Sequence, residues 1–475
     1  MSTTTTDYAQ GFATLSEEVS LDRLPLRGAL PDWLEGTLLR TGPARWEIGA
    51  STLTHWFDGL AMLHAFSFAG GEVSYANRFL ASRARQAADA AGRQVYGEFA
   101  TDPCRSIFQR VHALFRPQAT DNGNVNVARL GERFVALTET PMAVEFDPAT
   151  LATLGFPRWA PGHVTTAHPH ADRASGEAIN YTTRLGPSAT YRVYGLSAPG
   201  AQPRAIATVP ARPAAYMHSF GLSERFVVLA EFPLVLHPRD LVLGRAPFAD
   251  CFAWEPERGT ILTVVDRRDG TVRGRFGTDP FFAFHHINAF EQGDRLVVDL
   301  CAYADAAIVR SLFLDRLRGE APRGDGVPDA FLTRCEVDLA SGRVELRRLS
   351  ETPLELPRIN YSAVNERSYR WVWGAARGAD APADAFIDRI VKIDVDSGAA
   401  ATWSQPGCWP GEPVFVAAPE ATEEDDGVCL SVVLDGGRGA SFLLVLDARD
   451  LSELARAEVP HHIPFGFHGQ FARGR

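Results

Sequence analysis

One local pattern returns along this chain and limits what it can fold into. An apolar strand runs into an aspartate, a short turn follows, and a second strand leads away. Copies occur at Val144-Glu145-Phe146-Asp147, Val264-Val265-Asp266, Val337-Asp338, Ile393-Asp394 and Val445-Leu446-Asp447. Aspartate suits this place because its carboxylate accepts hydrogen bonds from the turn backbone, and the glycines at 270, 342 and 398 suit a positive φ. Repeated hairpins without a long helical period predict an all-β protein. Radial repetition in a β-propeller is the architecture that hides strand edges and leaves a central axis. The copies are unevenly spaced, so they give no blade count.

The chain has 475 residues, 45% of them hydrophobic and 22% charged, enough to fill a large core. Residues 1–25 read as a polar lead-in, and 26–475 as a single domain, with 318–330 and 375–384 as surface loops within it. The formal charge of −11 argues against a nucleic-acid surface. Six cysteines lie singly, which argues for reduced thiols and against a disulfide framework or zinc knuckle. The first residues lack the basic start and apolar core of a signal peptide, and no apolar run reaches the ~20 residues of a membrane span. A cytosolic chain is expected, and nothing in the sequence marks an obligate protein partner.

Four histidine sites suggest chemistry. The stretch 281–303 carries His285-His286 between aromatic, strand-like residues, where an imidazole is costly to bury unless its nitrogens are bonded. His168 with His170, His218 in Tyr216-Met217-His218-Ser219-Phe220, and His468 in Phe467-His468-Gly469 have similar settings. Imidazole binds iron, zinc, copper and nickel, so the four sites suggest one shared divalent metal. Neighbouring strand residues point to opposite faces, so only one of His285 and His286 can reach it. Glu139, Glu355 and Glu412 lie in apolar or proline-bounded settings suited to carboxylates that accept a far imidazole N–H and fix its tautomer.

These motifs resemble the carotenoid cleavage oxygenase family. The resemblance runs from Leu39-Arg40-Thr41-Gly42-Pro43 and His55-Trp56-Phe57-Asp58-Gly59 to Gly466-Phe467-His468-Gly469. Asp102-Pro103-Cys104, Leu137-Thr138-Glu139-Thr140 and Glu423-Glu424-Asp425-Asp426-Gly427 resemble the branch of animal-type β-carotene oxygenases and the retinoid isomerase.

The resemblance implies a seven-bladed propeller with a helical and loop dome over the metal-bearing face. It implies His168, His218, His285 and His468 as ligands of Fe(II), with Glu139, Glu355 and Glu412 behind three of them. The residues alone do not separate redox iron from Lewis-acid zinc. It further implies O2 as co-substrate, cleavage of a conjugated double bond of a carotenoid or apocarotenoid to two carbonyl products, and a threonine methyl, Thr138, crowding one coordination position. Phe220, Phe284 and Phe467 are expected to line a dry tunnel for a lipophilic polyene.

In residues 104–115 the apolar residues Cys104, Ile107, Phe108, Val111, Leu114 and Phe115 share one helical face. Spacing leaves open a helix packed on the dome or one lying in a membrane interface. The resemblance favours the second, and so peripheral contact with a membrane. Isomerohydrolysis of a retinyl ester is the alternative activity. Stilbene cleavage is disfavoured because the single lysine, Lys392, lies far from the position such relatives use.

Overall fold

The computed structural model describes residues 7–103, 119–157, 159–186, 188–237, 247–321, 326–382 and 385–473. Their strands form seven radial antiparallel sheets, and two short hairpins lie outside them, as expected of a seven-bladed propeller. Two strand exchanges close the ring. Gly469–Arg473, at the end of the chain, pairs with Gly36–Arg45 as the inner strand of the first blade. Leu26–Gly28 pairs with Glu453–Glu458 as the outer strand of the seventh. Opening the ring therefore costs backbone hydrogen bonds at two places.

The recurrent aspartates stand where the third strand of a blade turns into the fourth. Asp147, Asp266, Asp338, Asp394 and Asp447 each accept a backbone N–H from two residues further on, at 2.8 to 3.1 Å. In three of these turns a glycine at φ near +75° donates back to the aspartate carbonyl at 2.8 Å. Strand sequences follow position in the blade. Phe282–Gln292 and Arg295–Tyr303, packed between neighbouring blades, are buried along nearly their whole length. Val344–Pro353, at the rim of the same blade, is largely open to solvent, and its charged residues reflect that.

The ordered body begins earlier than the sequence pattern suggests. Asp7–Phe12 forms a 3₁₀ turn whose Tyr8 and Phe12 are buried. The Phe12 ring meets Trp56, Phe386 and Phe465 at centroid distances of 5.6, 5.3 and 5.2 Å. Burying one such side chain contributes ~1.5–3 kcal/mol. Ser20–Leu21 then adds a strand to the first blade. The polar lead-in over 1–25 is thus corrected: its two aromatics lack any periodic pattern, yet they pack into the core.

Loops between strands build the dome. Residues 55–59 and 94–103, the helices Ala307–Ser311 and Leu314–Leu317, and the hairpin Leu234–Leu236 with Phe252–Trp254 join through main-chain bonds. Among these are Trp56 N–H to Leu312 O at 3.1 Å and Ala249 N–H to Phe99 O at 2.8 Å. Cys104, Ile107, Phe108, Val111, Leu114 and Phe115 lie outside the described residues. No described helix is long and apolar enough to cross a membrane.

Candidate metal centre

The four histidines and three glutamates come one from each of the seven blades. His468, His168, His218 and His285 come from the inner edges of the first, third, fourth and fifth blades. Glu139 follows the second strand of the second blade, and Glu355 and Glu412 lie along the inner edges of the sixth and seventh. One ring nitrogen from each histidine falls within 4.8 Å of the other three. The two closest pairs are His168 Nε2 to His218 Nε2 at 3.0 Å and His285 Nε2 to His468 Nε2 at 3.1 Å.

The carboxylates determine what these nitrogens carry. His218 Nδ1–H donates to Glu139 at 2.7 Å, His285 Nδ1–H to Glu355 at 2.6 Å, and His468 Nδ1–H to Glu412 at 2.7 Å. A carboxylate only accepts, so the proton of each neutral ring sits on Nδ1 and Nε2 holds a bare lone pair. The lone pairs of His285 and His468 therefore face each other at 3.1 Å with no proton between them. Two such lone pairs repel, and a divalent cation between them turns the repulsion into ligation. The donor set fits a metal such as iron or zinc.

Burial, reinforced by the neighbouring imidazoles, holds His168 and His468 far below the ordinary imidazole range, so both stay neutral. Burial also pushes Glu355 up, but the hydrogen bonds it accepts from His285 Nδ1–H, the Leu356 N–H and the Tyr303 OH outweigh it and hold the carboxyl below its ordinary value. Among the described residues no carboxylate pairs with His168.

The neighbouring histidines turn elsewhere. His286 Nδ1 bonds with Ser219 Oγ at 2.8 Å, with irregular pairing on either side of it in the strand. His170 Nε2–H donates to the Phe220 carbonyl at 2.9 Å.

Four further residues complete the centre, and the sequence reading did not single them out. Tyr216 OH donates to Glu139 at 2.9 Å, and Tyr303 OH to Glu355 at 2.9 Å. Arg358 and Arg40 flank Glu412, with Arg358 Nε 2.9 Å from Oε1 and Arg40 Nη1 3.6 Å from Oε2. Tyr216 could have been found, since it stands two residues before His218 in the same short motif.

A cavity of about 1300 Å³ opens beside the cluster. Thr138, Glu139, His218, His285 and His468 reach its wall, with Phe284 and Phe467. Phe284 stands edge-on to His218 at 5.3 Å, and Phe467 packs on Trp56 and Phe57 at 4.6 and 5.1 Å. Phe220 is the exception among the expected lining residues. It is wholly buried between His170 and Tyr181, at 4.8 and 5.8 Å, and does not reach the cavity.

Relatives carry similar architecture. The chain is 37% identical to the carotenoid isomerooxygenase of Galleria mellonella, over 94% of this chain and 92% of that protein. It is 32% identical to the human β,β-carotene 15,15′-dioxygenase, over 96% and 93%. It superposes on the cobalt-substituted Synechocystis apocarotenoid oxygenase with a TM-score of 0.86, 26% identity and 98% of each chain covered. The retinal pigment epithelial membrane protein family model matches residues 12–473. With that match over nearly its whole length, the chain belongs to this family, that of the carotenoid cleavage oxygenases.

Proposed function

We propose that this protein is a non-haem iron dioxygenase that cleaves a conjugated carbon–carbon double bond of a carotenoid or apocarotenoid to aldehydes. The observation that carries the proposal is the pair of bare Nε2 lone pairs on His285 and His468, set beside an apolar cavity. His168, His218, His285 and His468 would hold Fe(II), and Glu139, Glu355 and Glu412 fix the rings that bind it. When bound, the iron supplies a site at which O2 is activated for the cleavage. Four neutral ligands leave the ion its full charge, unlike a site with a carboxylate ligand.

The chain's own part is placement and exclusion of water. Phe57, Phe284 and Phe467 give the cavity an aromatic wall at the metal end, which suits a polyene with few polar handles. Thr138 stands at the same wall, where its methyl group would narrow the approach to one side of the metal. Peripheral contact of the apolar face of 104–115 with a membrane would bring the lipid-dissolved substrate to the cavity.

The test is anaerobic iron loading, then addition of β-carotene and a shorter apocarotenal in detergent, with oxygen uptake and product masses followed together. Iron-dependent uptake with paired aldehydes supports the proposal and locates the bond. Iron binding without oxygen consumption on any polyene contradicts it and leaves isomerohydrolysis as the better reading.

A further inference from the structure

One wall of the cavity, on the side of the fifth and sixth blades, is built from Val327, Pro328, Ala330, Leu354, Phe386 and Ile387. Into this apolar wall the chain places a charged pair, Asp329 and Arg377. Their side chains are 24% and 18% exposed. Charges in an apolar wall lose hydration, and the attraction between partners at best offsets that loss. Such a pair calls for an account.

Its hydrogen bonds show what it has left to offer. Arg377 Nε–H donates to Asp329 Oδ1 at 3.2 Å, and Nη2 donates to Oδ2. The two N–H groups of Nη1 go to the Pro382 and Ala381 carbonyls, at 3.1 and 3.5 Å. Among the described residues four of the five guanidinium N–H groups are thereby used, and one on Nη2 remains. Each Asp329 oxygen accepts one bond from the guanidinium and keeps further acceptor capacity. The pair thus presents one donor beside spare acceptors. An alcohol matches it, since its O–H can donate to Asp329 while its oxygen accepts from Arg377. A carbonyl can use the donor alone.

We propose that Asp329 and Arg377 form an end-group subsite that selects polyenes whose terminal ring carries a hydroxyl group. This rests on the polyene-cleaving function proposed above. Arg212, another cation that lines the cavity, offers a contrast: it is exposed to solvent, so a ligand hydroxyl there would compete with water.

The test uses two polyenes of equal conjugation, β-carotene and its 3,3′-dihydroxy derivative. Two quantities are measured on the full chain: kcat/KM with iron loaded, and binding to metal-free protein from the shift of the visible band. The wild type is expected to favour the hydroxylated polyene by about tenfold or more in both. The double substitution Asp329→Leu with Arg377→Met, which replaces the pair by apolar groups of similar length, should abolish or reverse that preference. Equal handling of the two polyenes by the wild type would overturn the subsite and leave the cleavage function standing. So would a double variant that weakens both polyenes equally, since the pair would then only be tying its two loops together. If neither polyene binds or is cleaved, the functional proposal falls, and the subsite with it.

Discussion

The centre has two unlike sides. At Glu139 and Glu355 the carboxylate is steadied by a neutral phenol, Tyr216 or Tyr303, at 2.9 Å, and Glu355 also accepts the Leu356 N–H at 2.8 Å. At Glu412 it lies between two guanidinium groups, Arg358 and Arg40, and also accepts the Gly469 N–H at 2.9 Å. A carboxylate held by a phenol keeps its charge for the imidazole it faces. One held by two cations shares that charge, so His468 is the less basic donor. Glu412 has a second task, because Arg40 is 5% exposed and Glu412 is its ion-pair partner. The phenol side is built for the metal alone, and the guanidinium side also holds the closing strand of the ring.

The largest effect that can break this comparison comes from removing one carboxylate on each side. Glu355→Gln and Glu412→Gln should each lower metal affinity by about 10–100-fold. Only Glu412→Gln should also destabilise the fold, by about 3–5 kcal/mol, because it leaves buried positive charge without its partner. Calorimetric metal titration and denaturant unfolding of the metal-free forms measure the two quantities. Equal stability of the two variants would remove the distinction.

A second test uses histidines that serve no carboxylate. His55 and His64 are held down by burial, to about 4 and about 3 against an ordinary 6.5. In the unfolded chain they take up protons as pH falls through 6.5, while the folded protein resists, so their contribution is full above pH 6.5 and is lost toward pH 4. Asp58 works in the opposite sense. Burial raises it to about 6, so stability from this group grows as pH falls from 6 toward 3.8. His170 and His286, held by burial to about 4 and about 3, add to these histidines, and Glu98, raised by burial, adds to Asp58. The four histidines prevail, and the metal-free protein should lose on the order of several kcal/mol between pH 6.5 and 4. Urea unfolding at several pH values reads this directly, and a flat profile would contradict it.

The smallest effect should come from Tyr303→Phe. It removes one hydrogen bond to an ionised group and leaves the Glu355 contact with His285 in place. Metal affinity should fall several-fold, less than for Glu355→Gln, with no change in fold. A loss as large as that of Glu355→Gln would mean that the phenol, not the carboxylate, sets the ring.

Much of this architecture could be read from the sequence, and the part that could not has a common physical cause. The aspartate turns were visible because Asp147, Asp338 and their counterparts act on backbone two and three residues away. The histidines and glutamates that converge on the axis carry recognisable local motifs. Arg40 and Glu412 do not announce each other, since 372 residues separate them and only ring closure brings them together. The stretches 318–330 and 375–384 read as surface loops from their glycines and charges. Yet their inner ends, 327–330 and 375–377, turn inward to line the cavity. Phe220 misled for the opposite reason: an aromatic beside a metal-site motif can belong to the core beneath it.

The most direct test of the central claim is X-ray absorption at the iron edge of the Fe(II)-loaded protein, with metal content measured on the same sample. Four histidines converging on one point predict one iron per chain and an extended fine structure fitted by four imidazole rings. A site with two or three imidazoles and a directly bound carboxylate would contradict it. Glu139, Glu355 or Glu412 would then be a ligand and not the support behind one.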